Sequence, residues 1–501
     1  MSEPVPHAPP LYRAIQALLR VSVGAFFRRV EITGLGNIPS DGCGLIVSWH
    51  PNGLVDPGLI LTQFPRQVVF GARDGLFKVP LLGFVLRRLG TVPIYRAVDS
   101  DAGDPASRRA ANRKSLDALA REVARGSFSA LFPEGISHDA PHLTEIKRGA
   151  ARLYYRARQL RGDRDPPVIL PVGLHYDKKQ VFRSNALVAF HPPIELPFVL
   201  DVTPSDREDE DVERERVKQL TALIEVSLRE VVHATDDWEL HDLMQRTRRL
   251  VRAERAARAG ADPGATSMGE RVLGFARVRT GYYILAARNP EVVARLRARV
   301  TEYDADLRAL GLEDYELDRD PKLLSPWLAL LLLLQMIAVF LLLPPVILFG
   351  LLVNLPTALL LRGFASLGAK LEKDEATIKL LLGTALFPAT WIAAGVAAAR
   401  LHVHVHALYP AVPDAPVLVG FATALLAGLG GMAAVRYVRV AGETARAVRV
   451  RLTRRQRWVA VKRLRLERRR LCEAIEALIE GVALPGVITP DGRVRDEPTT
   501  T

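Results

Sequence analysis

The sequence predicts an α/β domain followed by a charged helical region and a C-terminal helical transmembrane domain, and three observations carry that prediction. Between about residues 30 and 200, short apolar runs alternate with charged helical stretches at the interval of strand–helix units. Residues 205–318 are rich in charge and nearly free of strand signals. Beyond them lie three uncharged apolar runs, Leu323–Leu361, Leu380–Ala399 and Ala415–Val435. A helix needs about 20 apolar residues to cross a bilayer, so the last two runs are straightforward spans.

Each element follows from its residues. Over 11–29, Leu11, Ile15, Leu18, Leu19, Val23, Phe26 and Phe27 recur at helical spacing, with Arg13, Arg20, Arg28 and Arg29 on the remainder. That is an N-terminal amphipathic helix (domain 1–29), lying either in a membrane interface or on a protein core. In the α/β domain, 30–204, strands are expected at Val30–Thr33, Gly44–Ser48, Gln67–Phe70, Ser129–Phe132, Val168–Gly173 and Ala186–Phe190. Helices are expected at Ser107–Arg125 and Lys147–Leu160. The run Val168-Ile-Leu-Pro-Val-Gly is apolar on both faces, as an interior strand is. The charged helical region, 205–322, breaks at Gly260–Gly264 into two pieces.

In the transmembrane domain, 323–437, the first run needs a different reading from the other two. Its 39 residues carry Pro344-Pro345 near the middle. As one helix it would extend about 58 Å, against a hydrocarbon core of roughly 30 Å. A helical hairpin or re-entrant pair, bent at the prolines, is expected. A basic amphipathic helix, 438–482, and a disordered tail, 483–501, complete the chain.

The 501 residues carry 68 Lys+Arg against 55 Asp+Glu, a net charge of +13. Residues 438–470 alone hold 13 of the cations and 2 of the anions, so one segment accounts for nearly all the excess. It begins beside an apolar run and interleaves Val448, Leu452, Trp458, Val459, Leu464 and Leu466. Anionic membrane lipids are therefore its expected partner, and no nucleic acid is expected. The two cysteines, Cys43 and Cys472, form no disulfide framework, which suits a reducing compartment. The first ten residues lack Lys and Arg, and Arg13 and Arg20 interrupt the stretch that follows, so no secretory signal is expected.

Four short motifs inside the α/β domain can carry chemistry. Ser48-Trp-His50-Pro-Asn-Gly-Leu-Val-Asp56-Pro57 follows an expected strand. Histidine can accept a proton at neutral pH, and a nearby carboxylate fixes its tautomer. Arg96, after the apolar Gly90-Thr-Val-Pro-Ile, can grip a phosphate with its planar fork. In Phe132-Pro133-Glu134-Gly135, the glutamate sits in a rigid turn and can bind a hydroxyl. Lys147 and Arg148 open a helix ahead of Gly149-Ala-Ala, where small residues, cations and a helix N-terminus suit an anion. Leu170-Pro171-Val-Gly is the fourth. No G-x-S-x-G elbow occurs and Cys43 has no base beside it in sequence, which disfavours an acyl-enzyme. His402, His404 and His406, and His138-Asp139 with His142, are read as polar loop residues, and no metal or cofactor is expected.

In order and sequence these motifs resemble the glycerolipid acyltransferase family, which includes glycerol-3-phosphate and lysophosphatidate acyltransferases; the resemblance covers about 30–200. It implies an α/β acyltransferase domain with His50 as general base and Asp56 as its partner. It implies further that Arg96, Glu134 and Gly135 help bind glycerol phosphate and that Pro171 belongs to the acyl-donor pocket. The family's usual first motif has four residues between His and Asp; here there are five. A larger subgroup, acting on glycerol 3-phosphate or dihydroxyacetone phosphate, shows a similar insertion and C-terminal membrane segments. Leu220–Leu250, with Ala234-Thr-Asp-Asp-Trp238, also resembles that subgroup.

The resemblance thus implies transfer of a fatty acyl group from acyl-CoA or acyl carrier protein to a glycerol-phosphate acceptor. Acylation of 1-acylglycerol 3-phosphate or another lysophospholipid, a hydrolase, and a catalytically silent lipid-binding protein are the alternatives. An integral membrane protein is expected, with the catalytic domain facing the cytoplasm, where acyl thioesters are made. With the basic segment on the same side, the number of crossings is expected to be even.

Overall fold

The structure, a computed structural model, describes residues 8–95, 105–205, 209–261, 266–318, 326–368, 372–489 and 493–495. They fall into two units: residues up to Trp238 with 267–272 and 370–380, and the remainder.

The first unit is built on a seven-stranded sheet. Its strands are β1 (Arg29–Thr33), β2 (Gly44–Ser48), β3 (Val68–Arg73), β4 (Val92–Ile94), β5 (Phe128–Leu131), β6 (Val168–Tyr176) and β7 (Asn185–Phe190). Their order across the sheet is β1-β7-β6-β2-β5-β3-β4. Every pair is parallel except β6 with β7. All six expected strands form, and β6 runs three residues past its expected end.

Side chains alternate between two cores, as the period of two requires. Ile46, Leu170, Val172 and Leu174 share one face with α1 (Pro10–Phe26) and α2 (Val55–Gln63). Leu45, Val47, Val69 and Ile169 share the other with α4 (Pro105–Ala124) and α5 (Gly149–Arg161); α3 (Pro80–Arg88) precedes β4. Central β2 is fully buried along its length, which is why it reads as an uninterrupted apolar run.

One boundary differs from the sequence reading. Helix α6 (Glu210–Val232) belongs to the first unit, not to the charged helical region. Its stripe Val217, Leu220, Ile224 and Leu228 is buried in the same core as Leu45 and Val47. Most of the charges that dominate its composition occupy its outer face; buried Arg216, over the Tyr155 ring, is an exception. Residues 375–380 also join this unit: Ala376 and Leu380 are buried with Tyr12, Ile15 and Leu59.

The second unit is helical. It holds α7 (Trp238–Arg258) from Glu239, α8 (Met268–Arg288) from Leu273, and α9 (Pro290–Ala309). It continues through α10 (Pro326–Ile337), α11 (Leu343–Gly368), α12 (Glu372–Leu408) from Leu381, α13 (Pro416–Gln456) and α14 (Trp458–Leu478). Leu240, Leu243, Met244, Phe275, Val300, Tyr303, Leu464 and Leu471 form its core. Among the described residues, three helical stretches are long and apolar enough to cross a membrane: Ile347–Ser366, Glu375–Leu408 and Pro416–Arg454.

The hairpin expected at Pro344-Pro345 does not form. One stretch of π-helix, Ala338–Leu342, joins α10 to α11, and the prolines lie in the first turn of α11. Proline is tolerated there because the first amides of a helix need no partner within it. Gln335 bonds to Thr444 at 2.9 Å and Asn354 to Ala427 at 2.8 Å. A hairpin would have returned residue 335 to the level of residue 354.

Asn354 is the polar centre of this apolar packing. Its amide donates to the Gly350 and Ala427 carbonyls and accepts from the Trp391 indole, each at 2.8 Å. Gly350 and Gly430 meet so closely that a Cβ on either would strike the other's backbone.

Two further readings change. Part of the basic stretch 438–470 is neutralised within the chain. Arg446 pairs with Glu316 at 2.8 Å and with Glu313 at 3.1 Å, and Arg468 pairs with Glu254 at 3.0 Å. The tail is not wholly without structure: Val487–Ile488 pairs antiparallel with Val494–Arg495. His402 and His406 hydrogen-bond to the carbonyls of Pro413 and Val412, closing the loop after α12.

Candidate active site

Strands β5, β2 and β6 lie side by side and parallel, so three of the motifs emerge at one end of the sheet. The turn 49–54 leaves β2, the Pro133–Gly135 turn leaves β5, and Pro171 lies within β6 opposite Val47. The carboxyl ends of parallel strands are the usual place for a ligand site in an open α/β sheet.

His50 Nδ1 lies 2.8 Å from Asp56 Oδ2. The five intervening residues allow this because Gly53 takes a left-handed φ of 52°, folding the longer turn back on itself. Asp56 is wholly buried in the first turn of α2. The Asn52 amide donates to the same oxygen at 2.7 Å, and the Tyr176 hydroxyl donates to Oδ1. Burial, followed by the Asp56 charge, pushes the Tyr176 hydroxyl well above its ordinary value, so it remains a donor. With Asp56 accepting, His50 carries its proton on Nδ1, and the Nε2 lone pair is free to act as a base. The imidazole stacks on Phe132 with ring centres 4.1 Å apart.

Glu134 is placed differently from a residue waiting for a hydroxyl. It is 1% exposed and its oxygens are occupied. The His50 backbone amide donates to Oε1 at 3.2 Å. Oε2 accepts from the Thr144 amide at 2.8 Å, the Thr144 hydroxyl at 2.9 Å, and His138 Nε2. The Ala140 amide donates to His138 Nδ1 at 3.2 Å, which leaves the proton on Nε2. Glu134 thus ties the His50 backbone to the loop after β5. Gly135 has a φ of 70°, and its amide closes the turn on Phe132.

Burial pushes the Glu134 carboxyl up, but the bonds from His138 and Thr144 outweigh it and hold it below the ordinary 4.5. A depressed folded value means the stabilisation is complete above pH 4.5 and fades as pH falls through the folded value. Glu134→Gln should therefore cost about 1.5–3 kcal/mol at pH 7. Thermal unfolding followed against pH checks this: the gap to wild type should close below pH 4.5. A gap that persists in acid would show that the carboxylate charge is not what stabilises the turn.

Lys147 and Arg148 are exposed at the start of α5, and the Lys147 side chain pairs with Glu145. The Lys147 amide bonds to the Pro133 carbonyl at 2.7 Å, which joins this pair to the Glu134 turn. Arg96 lies outside the described residues. Lys179 donates to the Pro51 carbonyl at 3.2 Å and pairs with Asp139, whose carbonyl accepts from the Trp238 indole at 2.9 Å. Sequence reasoning missed Tyr176. Alternation from Val172 through Leu174 points to it, once β6 is allowed to run past Gly173.

Residues 29–175 match the Acyltransferase family, and residues 270–485 match the Glycerol-3-phosphate acyltransferase 2 C-terminal domain. Glycerol-3-phosphate O-acyltransferase 1 of Saccharomyces cerevisiae is 30% identical over 196 residues, 38% of this chain and 24% of that protein. An uncharacterized acyltransferase of Schizosaccharomyces pombe is 22% identical over 388 residues, 61% of this chain and 55% of that protein. The chain thus spans about a quarter to about half the length of these curated relatives. The crystal structure of a 1-acyl-sn-glycerophosphate acyltransferase from Thermotoga maritima covers 44% of this chain and 80% of its own, at 18% identity and a TM-score of 0.30. Residues 29–175 are thus similar to the acyltransferase family, and residues 270–485 to the C-terminal domain of glycerol-3-phosphate acyltransferase 2.

Proposed function

We propose that the protein transfers a fatty acyl group from acyl-CoA or acyl carrier protein to glycerol 3-phosphate or dihydroxyacetone phosphate. The observation that carries this reading is the His50–Asp56 pair at 2.8 Å, buried on the Asp side and half-open on the His side. His50 Nε2 takes the proton of the acceptor hydroxyl as its oxygen attacks the thioester carbonyl. The tetrahedral intermediate collapses, the C–S bond breaks, and the departing thiolate takes the proton from His50. Both cysteines are buried, which agrees with direct transfer. Arg96, Lys147 and Arg148 supply positive charge for the acceptor phosphate, Glu134 and Gly135 shape the turn beside it, and Pro171 borders the donor.

The test is a panel of acceptors with labelled acyl donor and the full chain in membranes. Glycerol 3-phosphate or dihydroxyacetone phosphate should yield acylated product. Arg96→Ala should raise the acceptor KM by about 10- to 150-fold and leave the donor KM unchanged. Product only from 1-acylglycerol 3-phosphate would move the reaction to the next acylation. Free fatty acid, or no turnover, would reject acyl transfer.

The catalytic domain then faces the cytoplasm, where the donors are made; protease added to intact cells is the measurement. Anionic lipid is the partner of the basic cations that stay exposed, Arg449, Arg457, Lys462 and Arg470, beside exposed Leu452, Trp458 and Leu466. Binding to vesicles with and without anionic lipid reads that contact.

A further inference from the structure

The turn that carries Asp56 does not satisfy all of its own backbone. Within it, the Val55 amide bonds to the Asn52 carbonyl at 3.1 Å and the Asp56 amide to Gly53 at 3.4 Å. Leu54 occupies the cap position of α2, and no side-chain cap serves that helix end. The Leu54 amide instead donates to Thr377 Oγ1 at 3.1 Å, from a residue 323 positions later in the chain.

Thr377 lies near the start of α12, the helix whose stretch Glu375–Leu408 is long and apolar enough to cross a membrane. The contact is not isolated. Ala376 and Leu380 flank it and are buried in the core shared with α1 and α2. Lys379 Nζ donates to the Gln180 carbonyl at 3.1 Å, and the adjacent Lys179 donates to the Pro51 carbonyl at 3.2 Å. The start of α12 is therefore fixed to the turn at Leu54 and to the neighbouring loop at Gln180.

We propose that Thr377 is a positioning residue for the His50–Asp56 pair, so that the root of a membrane helix completes the acyl-transfer site. The proposal rests on the reading of that pair as the site of acyl transfer. The five-residue turn supplies the reason. An added residue between His and Asp adds a backbone amide as well, and the half-buried Leu54 amide has its acceptor in α12. A hydroxyl from α12 supplies it and holds Leu54 where Asp56 enters α2. Loss of the hydroxyl lets the turn shift while the residues that touch substrate stay in place.

The test compares Thr377→Val, which keeps the shape and removes the hydroxyl, with Thr377→Ser, which keeps it. The full chain is assayed in membranes with acyl-CoA and the acceptor that the panel identifies. Thr377→Val should lower kcat about five- to tenfold with both KM values within about twofold of wild type, and Thr377→Ser should restore it. Hydrogen exchange over residues 51–58 should quicken in the valine variant and not elsewhere in the domain. Wild-type kcat in Thr377→Val, equal losses in both variants, or a loss carried by KM would overturn the proposal. So would a wild-type chain whose 51–58 amides exchange as an open loop does, a result that needs no variant. His50→Ala assayed alongside separates the two readings. If it keeps activity, the site itself is misread; if it loses activity while Thr377→Val does not, only the proposal on Thr377 fails.

Discussion

Replacing His50 with alanine should lower turnover by about 10²–10⁴-fold and leave the protein folded. The rate falls because the imidazole is the only group in the turn placed to accept the acceptor's proton through Nε2. The fold survives because Asp56 keeps two donors, the Asn52 amide and the Tyr176 hydroxyl, once Nδ1 is gone. No buried carboxylate is left alone, so the usual large cost of breaking a buried pair does not apply. Asp56→Asn makes the complementary test. Its amide can turn an N–H toward Nδ1, which favours the tautomer with the proton on Nε2 and removes the base. Initial rates with saturating donor and acceptor, measured beside near-ultraviolet circular dichroism, distinguish lost chemistry from lost structure. If either variant kept more than about a third of wild-type turnover, general-base catalysis by this pair would be excluded.

The second large effect concerns stability. Arg468 is 1% exposed and Glu254 3%, and they pair at 3.0 Å between α14 and α7. Arg468 also donates to the Asp314 carbonyl at 2.7 Å and pairs with Asp318. Arg468→Ala removes the centre of that cluster, opens a cavity and takes the donor from Glu254 Oε2 and the Asp314 carbonyl, while Arg258 still reaches Glu254 Oε1 at 3.1 Å. Breaking a buried pair from one side costs about 3–5 kcal/mol. For a unit of this size that corresponds to a Tm lower by about 6–20 °C. Arg468→Met keeps much of the volume and should fall between the two, because it restores packing and not the hydrogen bonds. Thermal unfolding in detergent or bilayer discs reads the difference, and a shift under about 3 °C would show that the cluster stabilises nothing net.

The parts of this molecule that were legible in its sequence are those set by local pattern. Buried β2 reads as an apolar run because both of its faces are covered, and Glu134 and His50 stand at strand ends where turn residues mark them. What escaped depends on partners far along the chain. Tyr176 reaches Asp56 across 120 positions, and Thr377 reaches Leu54 across 323. Alternation along β6 gives the face on which Tyr176 lies but not its partner, and nothing local distinguishes Thr377 from an ordinary threonine in a helix.

The basic stretch 438–470 was legible only in part for the same reason. Its excess charge is plain in the sequence, whereas Glu254, Glu313 and Glu316 lie among many other acidic residues. The proline pair misled through local rules. Pro344-Pro345 interrupts a helix when it falls in the interior, but it opens α11 after a π turn, where the missing amides cost little. Helix α6 was assigned by its charges, although its packing is set by the four buried positions on one stripe.

The link between Leu54 and Thr377 also orders events during synthesis. Strand β1 cannot pair until β7 has been made, and the turn around Asp56 gains its last backbone partner only when residue 377 appears, 323 positions after Leu54. At about 5–20 residues per second, a ribosome needs about 15–65 s to cover that distance. For that interval the nascent catalytic domain has its histidine and its aspartate but an unfinished turn between them. The residue that finishes it arrives at the head of a membrane-length helix, just after the apolar stretch 347–366 has emerged. A ribosome-bound chain stopped before residue 377 should therefore be slow to acquire activity, and chains that complete the turn do so as their membrane segments are being delivered. Chain order alone would thus bring the last partner of the turn and the membrane-length helix that carries it into place together.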